Sequence, residues 1–107
     1  MQGMELTCFQ IISTVGTARS LYIEAIDLAK QGRFEEARQR IREGEETYNQ
    51  GHEVHAKMVQ DEANGKTLEY NLLLLHAEDL QMSAENFGIL ANEFVDLYEK
   101  LAGKQNG

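Results

Sequence analysis

The sequence has no proline and no tryptophan among its 107 residues, and Cys8 is its only cysteine. Without proline, nothing forces a helix to kink or stop in mid-run. A single thiol excludes an intramolecular disulfide and suits a reducing compartment. Cys8 lies on an apolar helical stripe, where the expectation is buried packing. Basic residues are also scarce: ten Lys and Arg face eighteen Asp and Glu, a formal charge of -8. That balance argues against nucleic acid or anionic lipid as partners and favours basic protein surfaces. The longest apolar run, Leu72 to Leu75, falls far short of the roughly 20 residues of a transmembrane helix. The N-terminus lacks a basic segment followed by an apolar one. The expectation is a cytoplasmic protein with no direct membrane insertion.

What the chain does have is Ala, Leu, Glu, Gln and Lys, the composition of long helices. Its breaks are "KQGRFEEA" around Gly32 and "EANGKTLEY" around Gly65, each placing glycine where a helix can end. They divide the chain into helices at about 4–31, 34–64 and 68–102. In the first, Cys8, Ile11, Val15, Ala18, Tyr22, Ala25 and Ala29 recur at alternating steps of three and four, the spacing of one helical face. The second repeats the pattern with Phe34, Ala37, Ile41, Gly44, Tyr48, Gly51, His55 and Met58. The third is the most regular, with Leu73, Ala77, Leu80, Ala84, Phe87, Ala91, Phe94, Tyr98 and Leu101 forming a heptad seam. Two short connections predict an all-α, antiparallel up-down-up three-helix bundle, one domain over residues 1–107. Only the tail "GKQNG" is expected to fray.

On a helical wheel, His76, Asp79, Ser83 and Asn86 fall about 110° from that seam, outside the bundle's own core. Leu72, Leu75, Met82, Ile89 and Leu90 lie on or beside the same stripe, so Leu72 to Leu90 is apolar around most of its circumference. A bundle of three covers one side of each helix, which predicts self-association through the third segment. His76 and Asp79, three residues apart, neighbour each other near that interface. From the pattern alone, His76 can be a hydrogen-bonded packing residue, a reactive imidazole or a metal ligand. No Glu stands three residues before His52, His55 or His76, so the Glu-x-x-His pair of di-iron bundles is missing. "HEVH" is one residue too short for the zinc-protease motif. His52 and His55 are read as structural. Arg19 is expected to snorkel or to pair with a carboxylate, and "FEEARQRIREGEE" to be a solvated face with pairs such as Glu36 to Arg40.

Four stretches, "FQIISTVGTARS", "AKQGRFEEA", "GHEVHAKMVQDEANG" and "LLLLHAEDLQMS", taken in this order and spacing, resemble the lactose/cellobiose-type enzyme IIA of the bacterial sugar phosphotransferase system. The resemblance covers almost the whole chain and implies a three-helix bundle that assembles as a homotrimer. It implies that His76 accepts a phosphoryl group from the histidine-containing phosphocarrier protein and passes it to a cysteine of the cognate enzyme IIB. It further implies that Asp79 faces its symmetry mates on a threefold axis where a divalent cation such as Mg2+ binds. A neutral imidazole suits the role, because it offers a lone pair at neutral pH without a general base. Gln81 and Ser83 are candidate donors to a phosphoryl oxygen. The resemblance implies uptake of a sugar of the cellobiose, chitobiose or lactose class, with β-glucosides as the expectation from overall similarity.

The family segment usually reads His-x-Gln-Asp-His, whereas this chain reads "HAEDL". Glu78 replaces a glutamine, and its charge is expected to disfavour phosphorylated His76. Leu80 replaces the second histidine. His55 also replaces a usual glutamine, while His52 matches the family's second-helix histidine. The competing expectations are a degenerate member acting as a non-catalytic regulator or scaffold, and a plain helical interaction module.

Overall fold

The computed structural model describes residues 3–68 and 70–106. It contains three helices, α1 (Gly3–Lys30), α2 (Phe34–Ala63) and α3 (Leu72–Asn106). The two glycines expected to end helices do so by one device. Gly32 and Gly65 take positive φ, 78° and 93°, a conformation open to a residue without Cβ. Behind Gly32, the Gly32 and Arg33 amides donate to the carbonyls of Ala29 and Leu28, each at 3.0 Å. Behind Gly65, the Gly65 and Lys66 amides donate to Glu62 and Asp61, again at 3.0 Å. Both are the paired reverse bonds of a Schellman motif.

The third helix starts later than the sequence pattern predicts, at Leu72 rather than near residue 68. Asn71 explains the shift, because its side-chain oxygen accepts from the Leu74 amide at 2.9 Å and its carbonyl from the Leu75 amide at 3.1 Å, which caps the helix there. Glu69, inside the expected helix, lies outside the described residues. At the other end, the tail expected to fray stays helical from Gly103 to Asn106, and Gly107 lies outside the described residues.

Contacts give the topology. Along α1, space for a Cβ on Gly51 is closed by Thr14 and Val15, and on Gly44 by Tyr22, so α2 runs opposite to α1. Gly16 faces Leu80 and Tyr22 faces Gly88, so α3 runs with α1. The bundle is therefore up-down-up, with extents of 59 × 24 × 20 Å. The apolar stripe of α1 is buried as the periodicity predicts, from Cys8 to Ala29. It packs against both other helices, whereas α2 and α3 touch each other sparingly.

Several polar links join α2 to α3. Arg38 bridges to Asp96 at 2.9 Å and to Glu99 at 3.0 Å, His52 approaches Gln81 at 3.5 Å, and His55 meets Glu78 at 2.5 Å. The expected Glu36 to Arg40 pair is not formed. Instead, Glu36 pairs with Arg33, and Arg40 with Glu43 at 3.4 Å, because Arg33 precedes the helix and is free to fold back over its first turn.

The inward seam of α3 also differs from expectation. The alanines at 77, 84 and 91 are buried as predicted, but their companions are Leu74, Gln81, Gly88 and Val95, one residue beyond Leu73, Leu80, Phe87 and Phe94. Leu73, Leu80 and Phe87 flank the seam half-buried, while Phe94 and Leu101 are exposed. The reason is steric. Tyr22 is buried with its ring between Gly44 and Gly88, where added Cβ atoms would come within 2.6 and 2.9 Å of it. Only glycine lets α3 approach that ring, so Gly88 turns inward and carries the rest of its line with it.

Candidate functional site

His76 lies in the second turn of α3 and Asp79 one turn further, both exposed on the outer face of the helix. Side chains on a helix lean towards its N-terminus. The Cα–Cβ bond of His76 therefore leans towards the start of α3, whose first turn holds no acidic residue. Around the two residues lies the apolar surface anticipated from the wheel. Leu72 is 82% exposed and Ile89 59%, with Leu75, Met82, Leu90 and Leu97 exposed between and beyond them. On α1, Leu6, Phe9 and Ile23 are exposed as well. So many large apolar side chains facing solvent mark a surface built for contact.

The residues expected to assist His76 are placed elsewhere. Gln81 is buried in the inward seam with its Oε1 unpartnered, its Nε2 lying towards His52 Nδ1. It is therefore withdrawn from any phosphoryl group. Ser83 Oγ accepts from Arg19 Nη1 at 3.2 Å, and the same guanidinium lies 5.7 Å from the Phe87 ring centroid. Arg19 is thus engaged by a hydroxyl and an aromatic face rather than by a carboxylate, since its neighbours on α3 are Ser83 and Phe87.

The two departures from the family pattern also find partners. Leu80 is half-buried with its Cδ2 3.7 Å from where a Gly16 Cβ would stand, so it fills the α1–α3 contact. Glu78 does not share the His76 face. Two residues along a helix is a rotation of about 200°, which turns Glu78 towards α2, where its Oε1 lies 2.5 Å from His55 Nε2. The expected direct repulsion of a phosphoryl group at His76 is correspondingly reduced by distance and by pairing. This pair escaped the sequence reading. Its signal was available as matched spacing, since His52 and His55 on one helix and Gln81 and Glu78 on the other are each three apart, as antiparallel rungs require.

Behind the pair, burial pushes the Cys8 thiol pKa up and the nearby Glu78 carboxylate adds to the effect, which leaves Cys8 protonated and unreactive. A cleft of about 260 Å³ opens beside Glu78 between α2, the connection and α3, with Leu75 on its rim. Among the described residues, no group of three or more His, Cys, Asp or Glu side chains within one protomer is arranged to hold a metal ion. No helix among them is long and apolar enough to cross a membrane.

The family model for the lactose/cellobiose-specific IIA subunit of the phosphotransferase system matches residues 6–99. The chain belongs to this family. It is 40% identical over 100 residues to the lichenan-specific phosphotransferase enzyme IIA component of Bacillus subtilis, covering 94% of this chain and 91% of that one. It is 32% identical over 100 residues to the N,N'-diacetylchitobiose-specific EIIA component of Escherichia coli K12, covering 94% and 86%. Among solved structures, the cellobiose-specific enzyme IIA from Bacillus anthracis superimposes with a TM-score of 0.95 at 40% identity, covering 97% of this chain and 95% of that one. The chitobiose IIA protein in its complex with HPr gives 0.83 at 28% identity, covering 95% and 99%. As a member of the family, the chain is a component of a sugar phosphotransferase system.

Proposed function

We propose that the chain is a phosphocarrier, taking a phosphoryl group on His76 from the histidine-containing phosphocarrier protein and giving it to a cysteine of its enzyme IIB. The observation that carries this reading is that His76 is exposed on an apolar outer face beside Asp79, in the segment whose resemblance to the family implies the active histidine. The existence of a chitobiose IIA–HPr complex with this fold supports HPr as the donor. Lichenan- and cellobiose-specific relatives support β-glucosides as the sugar class. The reading assigns the chain to the cytoplasm.

Chemically, a ring nitrogen of His76 attacks phosphorus as the phosphorus–nitrogen bond of the donor's phosphohistidine breaks. In the second transfer, the cysteine sulfur takes the phosphoryl group and the His76 lone pair is restored. Both steps depend on positioning and charge stabilisation more than on acid–base help. The exposed apolar face of α3 is the proposed interface of a homotrimer, in which three Asp79 carboxylates converge. A lone exposed carboxylate holds a divalent cation weakly, whereas an assembly would bring three to one site, with waters completing the coordination. Mg2+, bound there, would offset the mutual repulsion of the carboxylates and of a neighbouring phosphoryl dianion.

Incubation with the phosphocarrier, its upstream kinase and labelled phosphoenolpyruvate tests the reading. Wild type is expected to take up label and His76→Ala none, with the helical content of both alike. An unlabelled wild type, or label surviving His76→Ala, overturns it.

A further inference from the structure

The His55–Glu78 pair joins two departures from the family pattern that lie 23 residues apart in sequence. By the resemblance drawn from the sequence, glutamine is the usual residue at each position, and in this chain an acid–base pair stands across the α2–α3 contact instead. A glutamine can both donate and accept, so either exchange alone keeps a hydrogen bond, and both together give a pair in which one partner is a carboxylate and the other an imidazole. Here the side chains are 18% and 42% exposed, and they meet at 2.5 Å.

The location of the pair gives it a consequence beyond holding two helices together. Direct links between α2 and α3 are sparse, and near His76 this pair is the polar one. Glu78 leaves α3 on the side opposite His76, about 200° around the helix and about 3 Å along it. A tether fixed there acts with the buried Leu74 and Ala77 to restrain the rotation of the first turns of α3 about their own axis, and with it the direction in which His76 is presented.

We propose that His55 is a positioning residue for phosphoryl transfer, acting through Glu78 to fix the orientation of His76 on the outer face. The inference rests on the phosphocarrier reading above. Neither side chain of the pair touches the phosphoryl group. Cys8 on α1 and Tyr70 with Glu62 near the α2–α3 connection are the titratable neighbours of the pair, and none of them replaces His55 as the partner of Glu78.

Transfer kinetics with phosphorylated carrier as donor provide the test, using wild type, His76→Ala, His55→Ala, Glu78→Ala and the double variant His55→Gln with Glu78→Gln. Misorientation of a reacting group by an ångström or so costs up to about a hundredfold, and a loosened helix turn is expected to cost about tenfold in kcat. His55→Ala and Glu78→Ala are each expected to lower kcat by that amount while KM for the donor stays within about twofold, because the docking face is untouched. The double glutamine variant is expected to restore kcat, as an amide pair bridges the same gap. An unchanged kcat in both alanine variants, a rise in KM in place of a fall in kcat, or failure of the glutamine pair to restore transfer overturns the proposal. A wild type that accepts no phosphoryl group defeats the phosphocarrier reading itself, an outcome distinct from an active wild type with indifferent variants.

Discussion

The inward and outward faces of α3 are both apolar, but they are made from different residues. The inward seam is mostly small, with Ala77, Ala84, Gly88 and Ala91 buried between Leu74 and Val95. The outward face is large, with Leu72, Leu75, Met82, Ile89, Leu90 and Leu97 exposed. Small residues allow helices to approach closely but bury little area each. Large residues do the reverse, and apolar burial stabilises roughly in proportion to area. The contrast suggests that the protomer's own fold depends on close fit, while most of the large apolar side chains of α3 are reserved for something outside it.

Neighbouring residues break the comparison most sharply. Leu74 is 3% exposed and Leu75 56%. Leu74→Ala is expected to cost about 2–5 kcal/mol in urea unfolding. Leu75→Ala is expected to change protomer stability by no more than about 0.5 kcal/mol and to lower the mass found by light scattering at micromolar concentration. Equal losses of stability at both positions would erase the distinction between the faces. A smaller effect probes close fit on the closed side. Gly88→Ala places a Cβ 2.9 Å from Tyr22 Cζ, and such overpacking is expected to cost about 1–3 kcal/mol, seen as a lower urea midpoint with an unchanged slope.

The mildest test uses pH. Burial, reinforced by Glu45 and Tyr48, pushes the Tyr22 phenol up from 10.0 to about 12. Its neutral form is thus favoured by folding, so the associated stability is complete below pH 10 and is lost as pH rises towards 12. Between those values an unfolded chain ionises Tyr22 while the folded one does not. Denaturant unfolding is expected to weaken across that window, and Tyr22→Phe to flatten the dependence.

The sequence made some of this legible. The buried stripe of α1 could be read directly, because its apolar residues offer a single helical line. The exposure of His76 and Asp79 followed equally well from the angle between stripes. In α3, two adjacent lines competed, Leu73–Leu80–Phe87–Phe94 and Leu74–Gln81–Gly88–Val95. Hydrophobicity favours the first, but the fold uses the second, because one tyrosine ring on α1 needs a glycine opposite it. A steric requirement between helices leaves no trace in the periodicity of either one. The partner of Glu78 was hidden for a related reason, since it depends on how far α2 is displaced along α3, which composition does not specify. The start of α3 is set by the capping residue Asn71, although the helical apolar pattern reaches back to Leu68.

Tyr22 also acts as a vernier for the whole molecule. Its ring occupies gaps left by glycine on both neighbouring helices at one height. Sliding α2 by one turn would bring Arg40 or Tyr48 to the ring in place of Gly44, and sliding α3 would bring Ala84 or Asn92 in place of Gly88. A slipped arrangement is therefore blocked in both directions by bulk at one or more of these positions. The axial offset at which His55 stands opposite Glu78 is thus fixed about three turns away from the pair itself, by a residue that has no chemistry to perform.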